Sequence, residues 1–232
     1  MEKNKEKSVI IVAGGQGKRM DTQVPKQFLI LSGWPVLMHT ILKFYHFDPK
    51  INIILVLPFN HIDTWNRLCS EFRFLIAHKI TTGGDERFFS VKNGLDMVSN
   101  KGLVAIHDGV RPLVSEKVIR NSFETADQFG GSIPVIPPSE SLRLVQNNTS
   151  KPVDRNRYFL VQTPQTFKSE QIKKAYSQPF EKRFTDDATV FESNGNTVAL
   201  IEGNRPNIKI TWPSDVYLAQ SIFAQDITLR KK

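Results

Sequence analysis

Ala13-Gly14-Gly15-Gln16-Gly17-Lys18-Arg19-Met20, followed by Pro25-Lys26-Gln27-Phe28-Leu29, lies between an apolar run of strand length, Val9 to Val12, and a stretch of helical spacing, Val36 to Phe44. Glycines let backbone N–H groups come close to phosphate oxygens, and Lys18, Arg19 and Lys26 supply the countercharge that a triphosphate needs. Two commoner glycine loops fit badly. The dinucleotide fingerprint asks for glycine where Met20 stands and for an acidic residue about 20 positions on, after a second strand; Leu37 to Phe44 reads as helix instead. A P-loop asks for Ser or Thr after Gly-Lys, and this chain has Arg19.

Outward from that turn, apolar runs of strand length recur at Ile53 to Leu57, Leu103 to Ile106, Ser132 to Ile136 and Val198 to Ile201. Segments of helical periodicity separate them: Ile62 to Phe72, Phe88 to Val98 and Val118 to Phe129. This alternation predicts an α/β fold of Rossmann-like type, a mostly parallel twisted sheet with helices on both faces. Pro213-Ser214-Asp215 signals the start of a last helix. One region breaks the rhythm. Residues 137–160 carry Pro137 and Pro138, the Gln146-Asn147-Asn148 turn and Lys151-Pro152, and predict a protruding β-hairpin arm that pairs Leu142–Val145 with Tyr158–Val161. An isolated hairpin is marginal, so the arm is expected to pack on a second subunit, and residues 1–232 form a single domain.

The chain has 232 residues, enough for one sizeable core, and a formal charge of +8. That excess raises nucleic-acid binding as a rival class. Half of it sits in the ends, between Glu2 and Lys7 and from Arg230 to Lys232, and a small anionic substrate accounts for the rest, so no nucleic-acid partner is expected. Cys69 is the only cysteine, which excludes an intrachain disulfide and the usual zinc spacings and suits a reducing cytoplasm. No apolar run approaches the roughly 18 residues of a membrane span.

Ligands of such sheets bind at the strands' carboxyl ends, and polar clusters recur there. Thr82-Gly83-Gly84-Asp85-Glu86-Arg87 lies near Ile80; His107-Asp108-Gly109-Val110-Arg111-Pro112 follows Ile106; Asn207-Ile208-Lys209-Ile210-Thr211 comes near the C-terminus. Asp108 could hold magnesium with substrate phosphates and water, or simply pair with Arg111. His107 reads as a satisfied strand-end histidine, since no second histidine stands at ligand spacing. No nucleophile elbow and no nucleophile-and-base pair appear. A phosphate oxyanion that attacks for itself needs no base, only alignment and positive charge, so glycine turn plus cations suits nucleotidyl transfer.

Gly-Gln-Gly-Lys-Arg-Met, Pro-Lys-Gln, Gly-Gly-Asp-Glu-Arg, His-Asp-x-x-Arg-Pro, Thr-Pro-Gln, Thr-Asp-Asp-Ala and Asn-Ile-Lys-Ile-Thr, in this order from Val9 to about Phe223, resemble the 2-C-methyl-D-erythritol 4-phosphate cytidylyltransferase family. The resemblance implies a nucleotide-diphospho-sugar transferase type of fold, with CTP and a polyol phosphate as substrates and Mg2+ as cofactor. It implies that Arg19 and Lys26 stabilise the transition state, with Arg155 and Lys209 as further catalytic residues. Ala13, Gly14, Gly15, Gly17, Gly84, Asp85, Ser90 and Asp108 would bind the nucleotide, with Asp108 also at the metal. Arg111, Ser141, Thr163 and Thr185 would bind the acceptor, Thr163, Thr185 and Lys209 around its phosphate. Members are homodimers, so Ser141 and Arg155 would act in the neighbouring subunit's site. Departures include Gly109-Val110 for a usual pair of alanines, Ser141 for threonine and Asp187 for glutamate; they leave room for the sister ribitol 5-phosphate enzymes.

Overall fold

The computed structural model describes residues 5–14 and 24–230, with side chains as far as 224. Its elements, in order, are β1 (Lys7–Val12), β2 (Ile30–Leu31), β3 (Trp34–Pro35), α1 (Val36–Phe47), β4 (Asn52–Leu57), α2 (Ile62–Glu71), β5 (Lys79–Thr82), α3 (Arg87–Asp96) and β6 (Leu103–Asp108). There follow α4 (Glu116–Phe129), β7 (Gly131–Ile136), β8 (Arg143–Gln146), β9 (Thr149–Pro152), β10 (Leu160–Val161), β11 (Gln165–Lys168), α5 (Ser169–Ala175), α6 (Asp187–Ser193), β12 (Ala199–Glu202) and α7 (Pro213–Arg230).

Strands β6, β1, β4 and β5 run parallel side by side. β11 is the antiparallel insertion between β6 and β7, and β12 returns parallel to β7. Because successive side chains of a strand point to opposite faces, the apolar runs feed two cores. Val9, Ile11, Ile53, Leu55, Leu57, Leu103 and Ala105 pack with α1, α2 and α4. Ile10, Ile54, Val56, Val104 and Ile106 pack with α3, α5 and α6. Strands buried on both faces are apolar without alternation, which is why these three runs read so plainly in the sequence. Gly94 lets α3 lie against the sheet, since a Cβ there would stand 2.6 Å from Ile10 Cγ2.

The arm differs from the expected pairing. β8 pairs with β9, Gln146 opposite Thr149, not with Tyr158–Val161. Asn147 and Asn148 take positive φ of 46° and 58°, which turns the chain straight back on itself in a two-residue loop. Leu160 and Val161 instead join the main sheet opposite Ile136 and Val135, so the arm ends before residue 160. Seven elements lie outside the sequence expectations, β2, β3, β5, β9, β11, α5 and α6; all are short, and β5 at the sheet edge is only partly covered.

Candidate active site

β1, β4, β5 and β6 are parallel, so their carboxyl ends deliver the polar clusters to one edge. On one side the ends of β1 and β5 meet. Ala13 N donates to Val56 O at 2.9 Å, Gln27 Nε2 donates to Ala13 O at 3.0 Å, and Gly83 N donates to Leu57 O at 2.8 Å. Buried Ser90, in the first turn of α3, closes the glycine turn: its Oγ accepts from Gly84 N at 3.1 Å. A Cβ on Gly14 would stand 3.7 Å from the same Oγ, so Ala13, Gly14, Gly84 and Ser90 form one small, backbone-lined wall. Asp85 is exposed at its rim, and Lys26 begins the short 3-10 turn Lys26–Phe28 whose Gln27 is hydrogen-bonded to Ala13. Gly15, Gly17 and Arg19 lie outside the described residues.

On the other side, β6 ends in Asp108, which gathers the cations. Arg111 Nε and Lys209 Nζ both approach its Oδ2 at 3.1 Å, and Arg87 Nε stands 4.0 Å from Oδ1. Lys209 comes from an extended stretch outside any strand, tied to the cluster where Ile210 N donates to Val110 O at 2.9 Å. Burial pushes the Asp108 carboxyl up, but Lys209, Arg87 and Arg111 overcome it and hold the group well below the usual carboxylate range. The expected Asp108–Arg111 pair therefore exists within a larger cluster.

His107 is the satisfied strand-end histidine its spacing suggests. The Arg111 carbonyl, 3.1 Å from Nε2, can only accept, so Nε2 carries the ring proton. Nδ1 then accepts from the Thr163 hydroxyl at 3.0 Å, and Thr163 Oγ1 accepts from Asp108 N at 3.1 Å. Full burial, the leading cause, pushes the imidazole down to about 4.

The sequence reading assigned no role to Arg87 or Asp187. Arg87 donates from Nη1 and Nη2 to the two oxygens of Asp187, at 2.7 Å each. Asp187 is wholly buried at the start of α6 and also accepts from Tyr176 Oη at 2.7 Å. Burial opposes the charge on Arg87, but the carboxylate of Asp187 raises its affinity for the proton further. Asp187 follows Thr185 by two residues, and exposed Thr185 has Thr189 Oγ1 at 3.3 Å. With Arg87, Arg111 and Lys209 against Asp108 and Asp187, the cluster keeps one positive charge. Ser141 and Arg155 stand apart from it on the arm, where Arg155 Nη1 donates to Ser139 O at 2.6 Å.

No group of three or more His, Cys, Asp or Glu side chains suited to a metal occurs among the described residues. Nor is any helix among them long and apolar enough to cross a membrane.

Residues 8–225 match the family described as 2-C-methyl-D-erythritol 4-phosphate cytidylyltransferase. The protein of that name from Bacteroides thetaiotaomicron is 50% identical over 217 residues, covering 94% of this chain and 99% of its own; that from Clostridium botulinum is 40% identical over 217 residues, covering 92% and 97%. The crystal structure of 4-diphosphocytidyl-2C-methyl-D-erythritol synthase from Anaerococcus prevotii superposes with a TM-score of 0.80 at 25% identity, covering 95% of this chain and 96% of that one. The Thermus thermophilus 2-C-methyl-D-erythritol 4-phosphate cytidylyltransferase gives 0.74 at 26% identity, covering 93% and 98%. Glycine wall, cation cluster and sheet thus occur together in a chain matched almost end to end, and it belongs to the 2-C-methyl-D-erythritol 4-phosphate cytidylyltransferase family.

Proposed function

We propose that this site transfers CMP from CTP to 2-C-methyl-D-erythritol 4-phosphate, releasing pyrophosphate, as a step of isoprenoid biosynthesis in the cytoplasm. The observation that carries the reading is the placement of two unlike walls at the carboxyl ends of neighbouring parallel strands: a glycine wall suited to a nucleotide and a net-positive cluster at Asp108, Arg111 and Lys209 suited to a phosphate. A phosphate oxygen of the acceptor attacks the α-phosphorus of CTP in line, a P–O bond forms, and the bond to pyrophosphate breaks with its electron pair leaving on oxygen. The attacking oxyanion is already ionised, so the site supplies positions and positive charge rather than a base. Lys26, with Arg19 beside the glycine turn in sequence, meets the charge that builds at the α-phosphorus; Lys209 and Arg111 hold the acceptor phosphate.

Magnesium fits this donor set in one way. The ion needs a carboxylate or two plus substrate phosphates and water, and Asp108 Oδ1 accepts no hydrogen bond among the described residues, with Arg87 Nε 4.0 Å away. Asp108 would hold the ion through that oxygen, and the ion would supply further charge neutralisation at the phosphates.

The arm and the strip beside it support a homodimer. Tyr158, Phe159, Leu160 and Val161 are each 42–50% exposed in an unbroken run, and Arg155 and Ser141 precede them. An apolar strip beside a marginal hairpin suits burial against a second copy, which would carry both residues to the neighbouring site. Mixing Arg155→Ala subunits with Lys26→Ala subunits tests this: about one quarter of parental activity returns if sites are shared in a two-fold dimer, and none if each subunit works alone.

The decisive assay is pyrophosphate release with CTP and magnesium, with each polyol phosphate in turn. Turnover of 2-C-methyl-D-erythritol 4-phosphate is the expected result; preference for ribitol 5-phosphate would overturn the acceptor assignment.

A further inference from the structure

Arg87 opens α3 directly after the Gly83-Gly84-Asp85 turn, yet its guanidinium engages the opposite wall of the site. The fork closes on Asp187, 100 positions away in the chain, with two parallel contacts of 2.7 Å. Its third nitrogen, Nε, stands 4.0 Å from Asp108 Oδ1. Asp187 is held in turn by Tyr176 Oη at 2.7 Å, and Phe88, the residue after Arg87, stacks on the Tyr176 ring at 4.7 Å between centroids. The Arg87 side chain remains 31% exposed while that of Asp187 is fully buried. A fold that needed only stability here would do as well with apolar side chains, because removing both charges from water costs as much as their attraction returns. An ion pair in this place therefore invites a functional reason, and the fork gives one: it fixes distance and angle, as a flexible ammonium does not.

We propose that Arg87 is a positioning residue: locked on Asp187 and set against Asp108, it holds the nucleotide-side turn and the acceptor-side turn in register, so that the two substrates meet in line. The inference rests on the two-substrate function proposed above. Alignment of bound reactants contributes orders of magnitude to rate, and a displacement of about 1 Å forfeits much of it. The effect therefore falls on kcat, while the glycine wall goes on binding CTP through its own backbone.

The test removes the pair without leaving a buried charge behind. In Arg87→Met/Asp187→Leu/Tyr176→Phe, the two charges and the dependent hydroxyl go together. The expected result is a thermal midpoint near that of the parent, a kcat lower by about tenfold or more, and a KM for CTP within about threefold. A triple variant that regains both midpoint and kcat would reduce the pair to packing and overturn the proposal. Arg87→Lys supplies an independent reading should the triple variant not fold. It keeps the positive charge beside Asp108 but gives up the fork, so a parental midpoint with kcat down about tenfold supports positioning, and full kcat overturns it. The parent enzyme in the same assay separates the two claims: no pyrophosphate from the parent refutes the proposed function, whereas an active parent with an equally active Arg87→Lys refutes the role of Arg87 alone.

Discussion

The two walls of the cleft are built on opposite principles. The nucleotide wall is backbone and glycine, closed by one serine hydroxyl, with Gly84 N on Ser90 Oγ as its characteristic contact. The acceptor wall is charge, with three cations around Asp108 and a second carboxylate behind one of them. Shape limits the first and electrostatics limit the second. Substitutions on the two sides should therefore fail in different ways, and an equal response would break the comparison.

The largest effect is expected from Lys209→Met. It removes the proposed phosphate contact and a partner of Asp108 together, and should lower kcat/KM for the polyol phosphate about 10³-fold while moving the KM for CTP far less; steady-state pyrophosphate release measures both. Next comes acid. The His107 imidazole is pushed down to about 4 from 6.5 by burial, so the folded state binds fewer protons than the unfolded state between those values. Its contribution is complete above pH 6.5 and is lost as pH falls towards 4, at most about 3 kcal/mol. His39, His61 and His78, all lowered chiefly by burial, act in the same sense. Thermal midpoints from pH 7 to 4 should fall for the parent and fall less steeply for His107→Gln. Lys26→Ala should lower kcat about 10²-fold if the side chain meets charge only in the transition state; an unchanged kcat would remove it from that role. Gly84→Ala is the mildest. Its new Cβ would stand 2.4 Å from Phe89 Cβ, an atom that no rotamer change moves, so the exposed turn at Gly84 must itself shift. The expected cost is about 1–2 kcal/mol of stability, with a raised KM for CTP and little change in the KM for the acceptor.

Much of this could be read from the residues. The three central strands declare themselves because burial on both faces demands unbroken apolar runs, and the clusters at Gly83 and Asp108 declare themselves because parallel strands end together. The hairpin differs from the expected pairing for a local reason: two asparagines at positive φ make a tight reversal, so polar Thr149–Pro152 pairs at once and apolar Leu160–Val161 is left to the main sheet. Arg87 and Asp187 were each visible, one in Gly-Gly-Asp-Glu-Arg and one in Thr-Asp-Asp-Ala. Nothing local ties residues 100 positions apart, and a buried carboxylate in a short helix carries no periodic signature.

The chain of hydrogen bonds from Asp108 N through Thr163 to His107 anchors the charged cluster to the core. With Nδ1 bare, the threonine's single hydrogen is already committed to the ring, and its oxygen retains one lone pair. The buried hydroxyl therefore works inward: it ties the backbone at the end of β6 to the ring of the preceding residue. Thr163→Val would leave Asp108 N and His107 Nδ1 without these partners in the core, a cost of about 1–3 kcal/mol for each.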